Sequence, residues 1–209
     1  ITNRLVGSEM CIRDRLGCGA SFIDQINKSI KKTDVFLNSN TDFKLNAMDI
    51  GDNFENQISN LILINVFHHI SDPELFLRSA EKSLLIGGRI IMIEPSNNYW
   101  SRLVYKLIGH EPFDTRQIEW KFESKDPLLD SNQALSWIIF ERDYQKFKNL
   151  FPRFSLIRKK NMMPFSYLLS GGHSFNTRIG KFIRIIRKFE RLFFDKNMGI
   201  FNLICLEKT

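Results

Sequence analysis

The residues of this chain that could bind a ligand are small or acidic, and they recur through its first third. Gly17, Cys18 and Gly19 form a glycine turn at which the backbone could approach a ligand closely, because a Cβ atom on either glycine would intrude. Asp34 lies near the end of the next short apolar run, where a carboxylate can accept hydrogen bonds from the hydroxyls of a ribose. This order of residues predicts a nucleotide-binding site.

Asp49 and Asn65 extend the same pattern. Asp49 ends the following apolar run and could accept a hydrogen bond from an adenine amino group, with Met48 and Ile50 on either side of the ring. Asn65 ends the run after that, at the edge where an open α/β sheet binds its ligands. Four consecutive strand ends therefore present groups that suit one nucleoside ligand.

The elements that must hold these residues alternate between short apolar runs and helical stretches, which is typical of an α/β protein with a parallel sheet. The predicted strands are 33–37, 43–50, 60–67, 89–95, 154–160 and 199–209. The last two could pair antiparallel at an edge of the sheet. The predicted helices are 21–32, 71–88, 137–151 and 178–194. In the second helix, Ser71 or Asp72 can cap the first turn, and Gly87-Gly88 is expected to end it.

Two pairs containing histidine are candidates for acid–base chemistry. His68 and His69 are expected to point to opposite faces of a strand, so that one metal ion would seldom bind both, and a packed core histidine is the simpler interpretation. His110 and Glu111 are the better candidates for a catalytic base, because an imidazole backed by a carboxylate could take a proton from a hydroxyl or an amine. A solvent-exposed loop pair is the alternative. No metal is predicted.

Residues 96–136 show no clear period and are longer than an ordinary connection, so we interpret them as an insertion or lid. The aromatic residues of interest in this segment are Tyr99, Trp100, Phe113 and Trp120. They could form the floor of a pocket for an acceptor substrate, or they could anchor the insertion to the sheet. The sequence leaves both alternatives open.

The composition is that of one globular domain: 209 residues, of which 43% are hydrophobic and 25% are charged. The three cysteines, Cys11, Cys18 and Cys205, are odd in number and widely spaced, which argues against a disulfide framework or a zinc site. No apolar run is long enough to span a bilayer. A cytoplasmic location is therefore expected.

The net charge of +7 is concentrated late in the chain, where residues 158–196 hold ten lysines and arginines against two acidic residues. Residues 178–194 have the period of an amphipathic helix, with Arg184 and Lys188 on its basic face. The simplest interpretation is a helix packed on the core. Peripheral contact with an anionic inner membrane face is the alternative. Nucleic acid is not predicted as a partner, because no motif that reads it accompanies the charge.

Several of these stretches together resemble a known family. The series "LGCGA", "TDV", "AMDI", "LINVFHHISDPELFL" and "SLLIGGRIIMIEP" is similar to class I S-adenosylmethionine-dependent methyltransferases of the broad UbiE/type 11 group. The resemblance covers roughly residues 16–95. It implies a Rossmann-like, doubly wound, mostly parallel sheet with helices on both faces and an antiparallel last strand over 200–207.

The resemblance also implies S-adenosyl-L-methionine as the cofactor and a role for each candidate residue. Gly17 and Gly19 would line its methionine and ribose part. Asp34 would hold the ribose hydroxyls and Asp49 the adenine amine. Asn65 would lie beside the reactive sulfonium.

Two positions depart from the family pattern. Arg15 stands where the family has an acid before the first glycine, and Ser21 stands where a third glycine is common. Residues 1–15 also lack an apolar first strand and resemble a translated sequencing adaptor. We therefore expect an N-terminally truncated protein with a non-native N-terminus and a first strand that is missing or degraded.

The expected organisation has four segments: the non-native N-terminus (1–15), the cofactor-binding core (16–95), the insertion that shapes the acceptor pocket (96–136) and the remainder of the fold (137–209). The expected activity is methyl transfer to an oxygen, nitrogen or carbon nucleophile of a small-molecule, glycan or lipid-linked acceptor. Two alternatives stay open. One is a non-catalytic module with a decayed cofactor site. The other is an NAD(P)-dependent oxidoreductase, whose G-x-G-x-x-G motif requires a glycine where this chain has Phe22.

Overall fold

A seven-stranded sheet forms the centre of the protein in the computed structural model, which describes residues 12–16, 30–37, 39, 41–108, 111–124, 126, 130–169 and 180–209. The strands are β1 (Ile12–Leu16), β2 (Ile30–Asp34), β3 (Phe43–Lys44), β4 (Ile58–Ile64), β5 (Leu84–Pro95), β6 (Phe154–Met162) and β7 (Phe201–Lys208). Their order across the sheet is β3-β2-β1-β4-β5-β7-β6. Only β7 among the described strands runs antiparallel to its neighbours, β5 and β6. The prediction of a doubly wound, mostly parallel sheet with an antiparallel last strand is confirmed.

The helices surround this sheet. They are α1 (Ile50–Asn53), α2 (Pro73–Ser83), α3 (Tyr99–Ile108), α4 (Leu135–Trp137), α5 (Tyr144–Leu150), α6 (Ser166–Leu169), α7 (Gly180–Phe193) and α8 (Asp195–Met198). Two 3-10 turns, Ala47–Asp49 and Phe67–His69, and a π-helical stretch, Ile138–Arg142, complete the described elements. No helix in the described ranges is long and apolar enough to cross a membrane.

The first strand is present, which corrects the expectation that it is missing. Residues 12–16 pair in parallel with β2 on one side and β4 on the other, in the interior of the sheet. Main-chain hydrogen bonds depend little on side chains, and without β1 the facing edges of β2 and β4 would be unpaired. Leu16, at the end of the strand, is buried in the core. The non-native origin of residues 1–15 stays a prediction.

Several boundaries differ from those predicted. Residues 30–32 begin β2 instead of ending a helix, and the strand predicted over 43–50 stops at Lys44. Asn46 explains the second difference, because its side-chain oxygen accepts a hydrogen bond from the backbone N–H of Met48 (3.1 Å) and so favours a turn.

Helix α2 ends at Ser83, before the predicted Gly87-Gly88 stop. Gly87, with a φ of +76°, instead lies where the pairing of β5 with β4 shifts register.

The insertion after β5 is held to the core by Trp120. Its ring is buried, its indole N–H donates to Asp143 (2.8 Å), and the ammonium of Lys146 lies 4.7 Å from the ring centre. Trp100 donates its indole N–H to the carbonyl of Pro164 (2.9 Å), whereas Tyr99 is exposed. Of the two roles weighed for the aromatic residues, the tryptophans therefore act as anchors.

Helix α7 packs against the rest of the protein in an unexpected way. Its most buried side chain is Glu190, which accepts hydrogen bonds from the backbone N–H groups of Phe165 (2.6 Å) and Ser166 (2.5 Å) at the start of α6. Five of its large apolar side chains are exposed, namely Phe182, Ile185, Phe189, Leu192 and Phe193, whereas Ile183 and Ile186 are partly buried. The interpretation of a helix that packs its apolar face on the core therefore holds only for part of that face.

Candidate functional site

A cavity of about 270 Å³ lies at the carboxyl ends of β1, β2 and β4. This is the edge at which open α/β sheets bind ligands. The cavity is lined by Leu16, Asp34, Val35, Leu45, Asn46, Ala47, Met48, Asn65, Val66, His69, Ile70, Ser71 and Ser124. We call it the first cavity.

The first cavity contains three of the residues predicted to bind a nucleoside: Asp34, Met48 and Asn65. Asp34 ends β2, and its Oδ1 accepts a hydrogen bond from the N–H of Phe36 (3.2 Å). Asp49 is exposed next to Met48 and does not line the cavity, so its contact with an adenine amine stays a prediction.

Ile50, predicted to lie against the adenine, is fully buried in the core at the start of α1, and it does not line the cavity. Ile70 lines the cavity, as Met48 does. Gly17, Cys18 and Gly19 lie outside the described residues, as does His110. Their predicted roles stay predictions.

Asn65 has the most unusual conformation of the cavity residues. Its φ is +53°, in the left-handed region that asparagine tolerates better than most residues. Its backbone N–H donates to the carbonyl of Ile93 (2.9 Å), which ties the end of β4 to β5. Its side-chain Oδ1 is buried and has no hydrogen-bond partner among the described residues. A buried acceptor without a partner is able to accept a hydrogen bond from a polar ligand.

A second cavity, of about 320 Å³, adjoins the first at the ends of β4 and β5. It is lined by Asn65, His68, His69, Pro95, Tyr105, Ile108, Glu111, Gln133, Tyr167 and Phe201. Asn65 and His69 line both cavities and therefore form the boundary between them. The arrangement suits a reaction between two ligands.

A third cavity, of about 390 Å³, adjoins the second and shares Tyr105 and Glu111 with it. Phe113 lines this cavity and stacks on Tyr105 with ring centres 5.7 Å apart. Arg102 and Lys106 also line it and supply positive charge. Phe113 is thus the predicted aromatic that contributes to a pocket wall.

His68 lies at the centre of a buried polar cluster in the second cavity. Its Nδ1 is 2.5 Å from Oε2 of Glu94, and its Nε2 is 3.0 Å from Oε2 of Glu111. Burial alone would lower the pKa of His68, but the charge of Glu94 and the hydrogen bonds with both carboxylates outweigh burial and raise it to about 9. In the absence of another cation, His68 is therefore protonated at neutral pH.

Glu94 is the fixed end of this cluster. It is fully buried at the end of β5, and its Oε1 accepts hydrogen bonds from the backbone N–H groups of Val66 (2.9 Å) and Phe67 (2.8 Å). Its other oxygen holds the ring of His68. The carboxylate thus positions both the backbone and the His68 side chain of the 3-10 turn that follows β4.

Glu111 and His69 form the accessible side of the cluster. The hydrogen bond from His68 lowers the pKa of Glu111 to about 2, and Ser131 and Gln133 also donate to the same carboxylate oxygen (3.3 Å each). Nε2 of His69 is 3.7 Å from Oε1 of Glu111. Burial and the charge of His68 lower the pKa of His69.

The sequence predicts this cluster only in part. Glu111 is a predicted site residue, but His68 and His69 are expected to point to opposite faces of a strand. The structure places them on a 3-10 turn, where their ring centres are 4.4 Å apart and both rings reach Glu111. Glu94 is not among the residues predicted from the sequence. The signal that could have indicated it is an acid that ends an otherwise apolar buried strand, "RIIMIEP".

The comparisons with known proteins give structural matches alone. No family model and no curated protein matches the sequence. A SAM-dependent methyltransferase from Archaeoglobus fulgidus is 13% identical with a TM-score of 0.55, over 95% of this chain and 86% of that chain. Geranyl diphosphate C-methyltransferase from Streptomyces coelicolor A3(2) is 12% identical with a TM-score of 0.51, over 97% and 72%. A methyltransferase dependent on S-adenosylmethionine from Mesorhizobium loti is 10% identical with a TM-score of 0.51, over 94% and 90%.

The chain has the class I methyltransferase fold. At these identities the likeness concerns the fold alone, and the assignment to the UbiE/type 11 group stays a prediction. The antiparallel β7 between β5 and β6 agrees with the methyltransferase fold, as the resemblance implied. It also agrees with cavities at the carboxyl ends of the parallel strands.

Proposed function

We propose that the protein is an S-adenosylmethionine-dependent methyltransferase that acts on an oxygen, nitrogen or carbon nucleophile of a small-molecule, glycan or lipid-linked acceptor. The observation that carries the proposal is the pair of adjoining cavities that meet at Asn65 and His69. A cofactor in the first cavity and an acceptor in the second would have their reacting atoms side by side at this boundary.

The residues of the first cavity fit S-adenosyl-L-methionine. Asp34 can hold the ribose hydroxyls, and Met48 and Ile70 provide apolar walls for the adenine ring. Oδ1 of Asn65 and Oγ of Ser124 are buried without hydrogen-bond partners among the described residues, so they are available to the polar parts of the cofactor. When bound, S-adenosyl-L-methionine supplies a methyl group activated by a sulfonium.

The residues of the second cavity can orient an acceptor. Gln133 is buried, and its Nε2 donates to Glu111 (3.3 Å), while its Oε1 has no partner among the described residues and can accept a hydrogen bond from an acceptor O–H or N–H. Tyr105 is fixed because its hydroxyl donates to the carbonyl of Ile200 (2.7 Å). The nucleophile would form its bond to the methyl carbon as the bond from carbon to sulfur breaks, and an acceptor O–H or N–H would lose its proton.

The sheet order argues against the oxidoreductase alternative. Dinucleotide-binding sheets have the order 3-2-1-4-5-6. Here the antiparallel β7 lies between β5 and β6. The other alternative is a non-catalytic module with a decayed cofactor site. It is tested by measuring the affinity for S-adenosylhomocysteine and the effect of Asp34→Ala on that affinity.

Calorimetric titration with S-adenosylhomocysteine tests the proposal, with NADH as the control ligand. We expect saturable binding of S-adenosylhomocysteine and none of NADH. Asp34→Ala should weaken the binding about 10- to 100-fold, because a hydrogen bond to a charged group contributes about 1.5–3 kcal/mol.

Asp52→Ala is the matched control, since Asp52 is an exposed carboxylate on α1 and does not line the cavity. It should bind like the unchanged protein. Binding of NADH instead, or equal affinities for S-adenosylhomocysteine in the two variants, would contradict the proposed site.

A further inference from the structure

We propose that His68, His69 and Glu111 bind a divalent transition-metal ion of the zinc class at the wall of the second cavity. The inference rests on the proposed function, because it assigns the metal to the place where the acceptor nucleophile would bind. It assigns these residues a joint role beyond the base role predicted for Glu111.

The donor atoms already converge. Nε2 of His68 and Nε2 of His69 lie 3.0 and 3.7 Å from the two oxygens of Glu111, and one donor atom from each residue lies within 4.8 Å of the others. A tetrahedral ion bound at about 2.0–2.2 Å would hold its ligands about 3.3 Å apart. Only small side-chain movements would therefore be needed to close the three ligands on one ion.

Glu94 supplies the support that metal-binding histidines usually have. Its carboxylate bonds Nδ1 of His68 and is itself fixed by the N–H groups of Val66 and Phe67. A carboxylate on one ring nitrogen orients the histidine and makes the other nitrogen a better ligand. In His68 that other nitrogen, Nε2, is the one that points to Glu111.

The charge of the cluster also favours a cation. The buried Glu94 and the partly buried Glu111 place two carboxylates around His68, whose side chain is only 4% exposed. Both carboxylates would attract a divalent ion bound to Nε2, and the hydrogen bond between Nδ1 and Glu94 would stay intact.

The ligand set leaves a coordination position open. Three protein ligands, two histidines and one glutamate, are the pattern of zinc sites that keep a place for water or substrate. All three residues line the second cavity. A hydroxyl of the acceptor bound at the open position would lose its proton to solvent more readily, and its oxygen would then form the bond to the methyl carbon as S-adenosylhomocysteine leaves.

The test uses the full chain, treated with a chelator and then titrated with cobalt(II) chloride, a spectroscopic substitute for zinc. We expect one equivalent of Co²⁺ to bind, with ligand-field absorption in the visible range. Glu111→Gln and His69→Ala each remove a ligand that is not fully buried. They should weaken the binding by more than the roughly 10- to 100-fold that loss of an outer-shell partner causes.

Glu119→Gln is the matched control, because Glu119 is an exposed acid of the same segment. It should bind Co²⁺ like the unchanged protein, and thermal unfolding of all variants would show that each is folded. Absence of Co²⁺ binding by the unchanged chain, or equal binding by the Glu111→Gln variant, would overturn the inference and identify the cluster as an ion pair alone. Titration of the same samples with S-adenosylhomocysteine separates this failure from a failure of the proposed function.

A second inference comes from α7, which presents apolar and basic side chains to solvent together. Phe182, Ile185, Phe189 and Leu192 are between 56% and 71% exposed and follow one another at helical spacing. Arg184, Lys188 and Arg191 are exposed on the adjacent face. We infer that α7 lies on an anionic membrane surface.

Two observations favour this occupant. The helix is attached to the protein through another face, where Glu190 accepts hydrogen bonds from the start of α6. The apolar stripe formed by Phe182, Ile185, Phe189 and Leu192 therefore faces solvent. The positive charges beside the stripe complement anionic headgroups, and helices of this kind bury their apolar face at the boundary between headgroups and acyl chains.

Vesicle sedimentation tests the inference. We expect the protein to sediment with vesicles of phosphatidylcholine and phosphatidylserine, and not with phosphatidylcholine alone. Arg184→Glu with Lys188→Glu should abolish sedimentation. The same exchange at two exposed basic residues elsewhere, Arg116→Glu with Lys148→Glu, should not.

Two outcomes would overturn the inference. One is that the unchanged protein stays in solution with anionic vesicles. The other is that Phe182→Ser with Phe189→Ser converts a dimer to a monomer in size-exclusion chromatography without changing sedimentation, which would assign the stripe to a second copy of the chain.

Discussion

Glu94→Ala is expected to destabilise the protein by about 3–5 kcal/mol, the cost of removing one partner from a buried ion pair. The substitution would leave the buried ring of His68 without its nearest carboxylate, and it would also leave the N–H groups of Val66 and Phe67 without an acceptor. Both losses affect the turn between β4 and α2. Urea unfolding followed by circular dichroism would measure the change in the free energy of unfolding.

Glu94→Gln separates the two losses. An amide keeps an oxygen for the two backbone N–H groups, but its NH₂ group cannot accept a hydrogen bond from His68. Its cost should lie between that of the alanine variant and that of Glu55→Ala, which removes an exposed carboxylate and should change stability by less than about 0.5 kcal/mol. A cost below about 1 kcal/mol for Glu94→Ala would mean that the cluster does not hold the turn.

Phe67→Ala should cost a similar amount, about 3–5 kcal/mol, through a different mechanism. The side chain of Phe67 is fully buried and packs against Phe76 and Phe140, with ring centres 6.0 and 5.6 Å away. Removing the ring leaves a cavity under the turn that carries His68 and His69. The variant should therefore also bind Co²⁺ more weakly, although it changes no proposed ligand.

Phe36→Ala is the control for this prediction, since Phe36 is half exposed, and it should change stability by less than about 1 kcal/mol. Phe67→Ala and Glu94→Ala act on the same turn, so the cost of the double variant should be smaller than the sum of the single costs. Simple additivity would show that the ring and the carboxylate stabilise the turn independently.

The parts of the fold that depend on local pattern were predicted best. The cap of α2 is an example: the side chain of Asp72 accepts a hydrogen bond from the N–H of Leu75 (3.0 Å), and Pro73 occupies the first turn. The antiparallel pairing of β6 with β7 was also predicted and is confirmed. The cap follows from residues close together in the chain, and the pairing follows from two strand-like segments near its end.

Some residues of the first cavity were predicted from the sequence, and fewer of the second cavity were. Asp34, Met48 and Asn65 line the first cavity because they end strands or follow them, and strand ends can be located from the sequence. The polar cluster is different, because His68 bonds residues that are 26 and 43 positions away. No spacing in the sequence indicates such pairs.

The sequence by itself determined the fold class and the edge of the sheet at which the first cavity lies, because strands and helices follow local periodicity and parallel strands end at one edge. Only the tertiary structure decided that residues 12–16 complete the sheet, that His68 and His69 share a turn with their rings together, and that α7 turns its apolar stripe outward. The physical reason is the same in each case. The weakly apolar strand β1 is stabilised by its pairing with β2 and β4. The turn that carries His68 and His69 is stabilised by the distant carboxylate of Glu94. Helix α7 is held by the hydrogen bonds that its buried Glu190 accepts.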